Sequence, residues 1–284
     1  MSLVVTGATG QLGRLVVSSL LAKGVPADQI VALGRDEERL AALAALGVTT
    51  RRVDYADAAG LADALAGADR VLLISGSEVG RRLVQHQNVV DAAKAAGVGL
   101  LAYTSIANAD TSGLALAAEH RATEEAIVAS GLRHAFLRNS WYTDLYTGQV
   151  PTYVEHGAVL GAAGDGRVSA ATRADLAEAA AAVLLLEEPR AVYELGGAAF
   201  TLAELAAAVG EATGTEVAYS DLPAEELTTV LVGAGLPEQY AAVLADADLG
   251  LGRGELYVDP ADLQVLLGRP ATTLAEALSA TIGA

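Results

Sequence analysis

The sequence predicts an α/β fold: an open, doubly wound parallel sheet with a smaller, mainly helical C-terminal lobe. Three observations predict it. Over the first two-thirds of the chain, short β-rich runs alternate with Ala/Leu-rich runs, which is the rhythm of βαβ units. Several of the β-rich runs are continuously apolar, as strands covered on both faces must be. Gly24, Gly47, Gly67, Gly97 and Gly131 each follow a helical run, where a left-handed C-terminal residue belongs.

The elements follow in order. The β-branched and apolar runs at 3–6, 30–34, 49–53, 71–75, 100–104 and 134–137 read as strands. The runs at 11–23, 37–46, 58–65, 81–96 and 116–130 read as the helices between them. After Arg138 the rhythm changes. Residues 139–166 are rich in Tyr, Thr and Gly and show no clear alternation. A helix at 174–187 and a strand at 192–195 read as a last αβ unit of the sheet. From Thr201 onward helices are expected at 201–213, 224–233, 237–246, 260–267 and 273–281, with one short strand at 217–219. Two units result. Residues 1–139, completed by about 168–197, form the sheet unit; 140–167 and 198–284 form a lobe that walls a cleft beside the strand C-termini.

Composition narrows the function. Hydrophobic residues make up 52%, enough for a sizeable core, while aromatics are only 4%, so core volume must come from Ala, Val and Leu. A net charge of −17 argues against nucleic acid, whose phosphates need clustered Lys and Arg. The absence of cysteine excludes disulfides, thiol catalysis and Cys-ligated metals. His86, His134 and His156 stand at no metal-ligand spacing. No signal-peptide pattern opens the chain. The longest apolar stretch, near 176–186, is short and carries Glu178, so it cannot span a bilayer. A cytoplasmic protein with no membrane partner is expected.

The segment Val4-Val5-Thr6-Gly7-Ala8-Thr9-Gly10-Gln11-Leu12-Gly13-Arg14 follows a strand and opens a helix. Gly7 permits the tight turn, Gly10 lets the backbone approach a pyrophosphate, and Gly13 lets the helix pack on the sheet. The helix N-terminus supplies unpaired N–H groups and a positive dipole end. This is the phosphate-binding pattern of a Rossmann-type dinucleotide fold. Gly7, Ala8, Thr9, Gly10, Gln11, Leu12 and Gly13 are the expected contacts. The second strand ends at Gly34-Arg35-Asp36. An acid there suits a ribose 2′-OH, whereas Arg35 suits a 2′-phosphate, so NADPH is favoured over NADH. Asp36 can instead cap the next helix. Asp54, ending the third strand, can accept the adenine amino group or serve a turn.

Ligands on open α/β sheets bind outside the strand C-termini. Ser75, Gly76 and Ser77 after the fourth strand, and Thr104 in the fifth, are small or hydroxylated and leave room for a nicotinamide ribose. Asn139-Ser140-Trp141-Tyr142 follows the sixth strand. Trp141 can form a flat wall for an aromatic acceptor, or it can pack the two units together. Alcohol–ketone dehydrogenases on such folds use a Tyr with a Lys four residues later to relay a proton. No such pair follows the fifth strand here. His120 stands on that helix instead and can donate a proton or position an acceptor oxygen. An acceptor that needs little acid catalysis, such as a quinone, fits better.

Together these residues give a resemblance to a known group. Thr6–Gly13, residues 73–80, Tyr103-Thr104-Ser105, Glu119-His120, Arg138–Tyr142, Gly161-Ala162-Ala163-Gly164-Asp165-Gly166, Ala171-Thr172-Arg173-Ala174-Asp175 and Gly268–Leu274 resemble the NmrA-like atypical short-chain dehydrogenase/reductases, in particular bacterial NADPH-dependent quinone oxidoreductases. The resemblance implies NADPH contacts from Gly7–Leu12, Arg35, Ser75–Ser77, Asn139–Asp144 and Arg173. It also implies a quinone-like substrate stacked near the nicotinamide, with Trp141 and Tyr142 shaping its site and His120 assisting protonation. The departures are Ser140, where Gly is expected, and Gly76, where Ser is expected. The hydroxymethyl of Ser140 would narrow the cofactor edge. Some NmrA-like proteins bind the dinucleotide without turnover and act as redox sensors. Isoflavone-reductase-like relatives reduce enone C=C bonds, usually with a Lys where His120 stands. A homodimer is compatible with all three readings.

Overall fold

A computed structural model describes residues 1–78 and 80–283; Val79, which falls within the 73–80 segment of the resemblance, lies outside the described residues. The elements in chain order are β1 (Leu3–Val5), α1 (Gln11–Ala22), β2 (Ile30–Gly34), α2 (Glu37–Ala44), β3 (Thr49–Arg52), α3 (Ala58–Leu65), β4 (Arg70–Leu73), α4 (Arg82–Ala95), β5 (Leu100–Ile106), α5 (Ala115–Ser130), β6 (His134–Asn139), α6 (Thr143–Thr147), α7 (Val150–His156), β7 (Ala158–Gly161), β8 (Arg167–Val168), α8 (Arg173–Leu185), β9 (Val192–Leu195), β10 (Phe200–Thr201), α9 (Leu202–Thr213), β11 (Ala218–Asp221), α10 (Ala224–Gly233), α11 (Glu238–Gly252), α12 (Ala261–Leu267) and α13 (Leu274–Ile282). Seven strands form one sheet in the order β3-β2-β1-β4-β5-β6-β9, with every neighbouring pair parallel. The order reverses between β1 and β4, which opens a crevice at their C-terminal ends.

Both faces of the sheet are covered. Val16, Val17 and Leu20 of α1 pack with Leu176, Ala180 and Val183 of α8 on one face. Leu61 and Leu65 of α3, Val89 and Val90 of α4 and Ile127 of α5 pack on the other. The inner strands are accordingly mostly apolar, and β5 is buried along its whole length. The five glycines read as helix stops all have positive φ, between 68° and 86°. No Cβ clash opposes that conformation in glycine.

The irregular segment after β6 departs from expectation. It holds two short helices, α6 and α7, and strand β7, which pairs in parallel with β11. Helices of five and seven residues are too short to write a 3.6-residue period into the sequence. A third apolar cluster joins this segment to α9 through Tyr146, Val150, Phe200, Leu202 and Leu205. Strand β4 stops at Leu73, two residues earlier than expected, and releases Ile74–Ser77 into a loop over the crevice.

Candidate functional site

The crevice holds a cleft of ≈ 810 Å³, within the size range of cofactor sites. One wall is the glycine turn. Gly7 has φ +61°, and Gly10 donates to the Gly7 carbonyl at 3.0 Å. A Cβ on Gly13 would fall on the Gly7 carbonyl and the Ala8 backbone, so only glycine lets α1 start this close to β1. Gly10 is the N-cap of α1, and no side chain caps the helix. The first N–H groups of α1 therefore keep their donor capacity at the cleft, where Gly10, Gln11, Leu12 and Gly13 line the wall.

The end of β2 builds the next corner. Asp36 caps α2, its carboxylate accepting the Arg39 N–H at 3.0 Å. Arg35 reaches across the cleft mouth. Its Nη1 lies 2.9 Å from Glu78 and 3.4 Å from Asp54. Asp54 also accepts the Ala56 N–H at 2.8 Å, so it serves the turn and the ion pair together. Arg39 stands beside Arg35 and donates to the Thr9 carbonyl at 3.1 Å. Tyr55 ties three strand ends beneath the turn: its hydroxyl donates to the Ile74 carbonyl at 2.7 Å and lies 2.5 Å from Thr6 Oγ1. Burial pushes the Tyr55 hydroxyl far up, so it stays protonated.

At the far end Tyr142 and Arg173 line the cleft. The Arg173 guanidinium lies 4.5 Å from the Tyr142 ring centroid, a cation–π contact. Arg173 opens α8, and Asp144 holds it through its backbone N–H at 2.8 Å and its guanidinium at 3.6 Å. Burial raises the Tyr142 hydroxyl above its ordinary range, with Asn139 and Arg173 pulling the other way.

Gly7, Thr9, Gly10, Gln11, Leu12, Gly13, Arg35, Asp54, Ser75, Gly76, Ser77, Tyr142 and Arg173 come together on the cleft. The remaining expected residues do not line it. Ala8 is fully buried and donates its N–H to the Leu33 carbonyl at 2.8 Å. Thr104 stands behind the wall and accepts the Ser75 N–H at 2.8 Å. Asn139 is buried with its side-chain carbonyl unpartnered. Trp141 packs against the third apolar cluster. The Ser140 hydroxyl does not narrow the cofactor edge; it is buried and donates to the Leu256 carbonyl at 2.7 Å, because its Cβ points into the lobe. His120 is on the buried face of α5 with Nδ1 2.7 Å from the Tyr103 hydroxyl. Burial, reinforced by the Arg82 charge, holds its pKa well below the ordinary value, so the ring is neutral and away from the cleft surface.

Sequence reasoning missed Arg39, Tyr55, Glu78, Gln85 and Tyr240 on this cleft. Arg39, in the first turn of α2, carried a usable signal: a helix starting at the cleft brings its first turn with it. Tyr240 carried none. It comes from the start of α11, and among the described residues it is the only one beyond 198 that lines the cleft.

The residues fit a dinucleotide: an uncapped helix N-terminus behind glycines, Arg35 after β2 with Arg39 in the first turn of α2, and an aromatic–cation pair at the far end. Residues 7–187 match the family described as NAD(P)H-binding. The chain is 49% identical over 279 residues to Quinone oxidoreductase 2 of Escherichia coli, covering 98% of this chain and 97% of that one. Among solved structures, an NADPH-dependent quinone oxidoreductase from Escherichia coli complexed with NADPH superposes with a TM-score of 0.95 at 48% identity, covering 99% of each chain. The Citrobacter sp. triphenylmethane reductase complexed with NADP(H) superposes with a TM-score of 0.93 at 41% identity, covering 99% of this chain and 100% of that one.

Proposed function

The chain belongs to the NAD(P)H-binding family, and on that premise we propose that it is an NADPH-dependent reductase of quinone-like acceptors. One observation carries the reading: end-to-end identity of 49% to a quinone oxidoreductase. It favours the reductase over a non-catalytic redox sensor or an enone reductase. When bound, NADPH supplies the hydride equivalent.

The chain's own residues bind and orient. Gly10–Gly13 at the start of α1 meet the pyrophosphate through backbone N–H groups. Arg35 and Arg39 take the 2′-phosphate by charge-assisted hydrogen bonds, with Asp54 on the adenosine side. Ser75, Gly76 and Ser77 face the ribose beyond, backed by Thr104. Tyr142, pinned under Arg173, orients the nicotinamide end, with Asn139 and Trp141 behind it. Rate then comes chiefly from proximity and orientation. His120 is neutral and buried, so the proton is assigned to solvent.

Residues 1–139 with 168–197 are assigned to cofactor binding, and 140–167 with 198–284 to the acceptor side. No helix among the described residues is long and apolar enough to cross a membrane, and with a charge of −17 a cytoplasmic enzyme is proposed. Leu83 and Val84 of α4 are exposed beside Ala122 and Ala126 of α5, which supports a homodimer through these helices. The test of function is NADPH and NADH oxidation against a panel of quinones, azo dyes and a triphenylmethane dye. Quinone-dependent NADPH loss is expected; no turnover with any quinone overturns the reading.

A further inference from the structure

We propose that His86, a residue outside the cleft, is a positioning residue for NADPH: it holds the backbone of Gly76 and with it the Ser75–Ser77 wall, an inference that rests on the cofactor reading above. His86 sits on α4 with no solvent exposure. Its Nε2 lies 2.9 Å from the Gly76 nitrogen and its Nδ1 3.1 Å from Thr123 Oγ1. A backbone N–H can only donate, so Nε2 is the acceptor and Nδ1 carries the proton. Thr123 Oγ1 receives that proton's hydrogen bond and passes its own to the Glu119 carbonyl at 3.0 Å. The chain of donors is consistent from Gly76 to α5 and leaves no orphan.

This arrangement requires a neutral ring, since an imidazolium would turn a second N–H against that of Gly76. Burial, reinforced by the Arg82 charge, lowers the His86 pKa to about 3. The ring is walled by Tyr103 and Tyr55, at centroid distances of 5.4 and 6.0 Å.

The next peptide, which carries the Gly76 carbonyl, is held as well. Arg82 Nε donates to the Gly76 carbonyl at 2.8 Å, and Arg82 Nη1 pairs with Glu119 at 2.6 Å. The second oxygen of Glu119 accepts the Gly80 N–H at 2.6 Å. Side chains of α4 and α5 thus fix both polar groups of Gly76. A Cβ on Gly76 would make only ordinary contacts, with Gln85 Oε1 at 3.4 Å, His86 Nε2 at 3.7 Å and Tyr55 Cδ2 at 3.8 Å. No steric bar fixes this glycine, so the directional restraint on its backbone comes from the two hydrogen bonds.

The test titrates NADPH, by its fluorescence, into the full-length wild type and the variants His86→Phe, His86→Gln and Thr123→Val. It also measures melting temperature, and kcat at saturating NADPH and quinone. Phe keeps the ring volume but accepts nothing, and Kd should rise about tenfold, the worth of one net hydrogen bond. Gln offers a side-chain carbonyl to the Gly76 N–H, and its Kd should return to within about threefold of wild type. Thr123→Val strands Nδ1–H and should fall between them. In all three kcat should stay within about twofold of wild type, because a binding contact alone is lost. An unchanged Kd in His86→Phe overturns the proposal. So does equal weakening in Phe and Gln together with a lower melting temperature, which marks a packing role. If His86→Phe does not fold, Thr123→Val decides, and a wild-type Kd there overturns it. A wild type that binds no NADPH overturns the reading of the cleft itself.

Discussion

Arg35 Nη1 lies 2.9 Å from Glu78 Oε1, so the end of β2 and the loop after β4 meet across the cleft mouth through one ion pair. Both carboxylate partners of Arg35 bond the same nitrogen, Nη1. The rest of the guanidinium remains available to a 2′-phosphate. Arg35→Ala should weaken NADPH by about 10- to 100-fold, the range for a hydrogen bond to a charged group. NADH, which lacks that phosphate, should change far less. Steady-state KM values for the two cofactors check this, and equal losses refute it.

Gly13→Ala should damage fold and binding together. The added Cβ meets the Gly7 carbonyl and the Ala8 backbone, atoms that cannot move aside as a side-chain end can. Overpacking of this kind costs about 1–3 kcal/mol. A lower melting temperature with weakened NADPH binding is expected; a wild-type Kd would show that the turn has slack.

Asp248 gives a pH signature. It accepts the Ala162 N–H at 2.9 Å, and burial, opposed by that hydrogen bond and reinforced by Asp221, raises its pKa to about 6. The folded pKa exceeds the unfolded one, so the native state holds the proton more tightly. Stability from this group is therefore fully present below about pH 4 and is lost as pH rises through about 6. Asp248→Asn should stabilise the protein at pH 7.5 by up to about 3 kcal/mol, and the gain should vanish toward pH 4. Melting temperatures across that range provide the check.

Tyr240 is half-exposed at the tip of α11 and lines the cleft beside Ser77 and Glu78. Its truncation to Ala should leave stability within about 0.5 kcal/mol, as for other surface sites. KM for the acceptor or the cofactor should rise several-fold. An unchanged KM for both would show that the α11 tip takes no part in binding.

Much of the fold was legible because it is written locally. Six of the parallel strands follow from largely apolar runs and the edge strand β3 from its β-branched Thr49-Thr50 start, and helix ends follow from glycines whose φ is positive. The glycine turn was readable for the same reason: its three glycines answer steric demands within a dozen residues. The segment at 139–166 was not readable, because α6 and α7 are shorter than the pattern that would reveal them.

The sequence by itself determined the α/β class, the glycine turn at Gly7–Gly13 and the basic residue at Arg35. Only the tertiary structure decided which side chains share the cleft. It turned Ser140 toward Leu256, buried His120 against Tyr103, paired Arg35 with Glu78 and brought Tyr240 to the cleft. The physical reason is one of range. Backbone sterics and periodicity act within a few residues and leave their mark on composition. The direction of a side chain is set by packing against elements tens to hundreds of residues away, which no local pattern records.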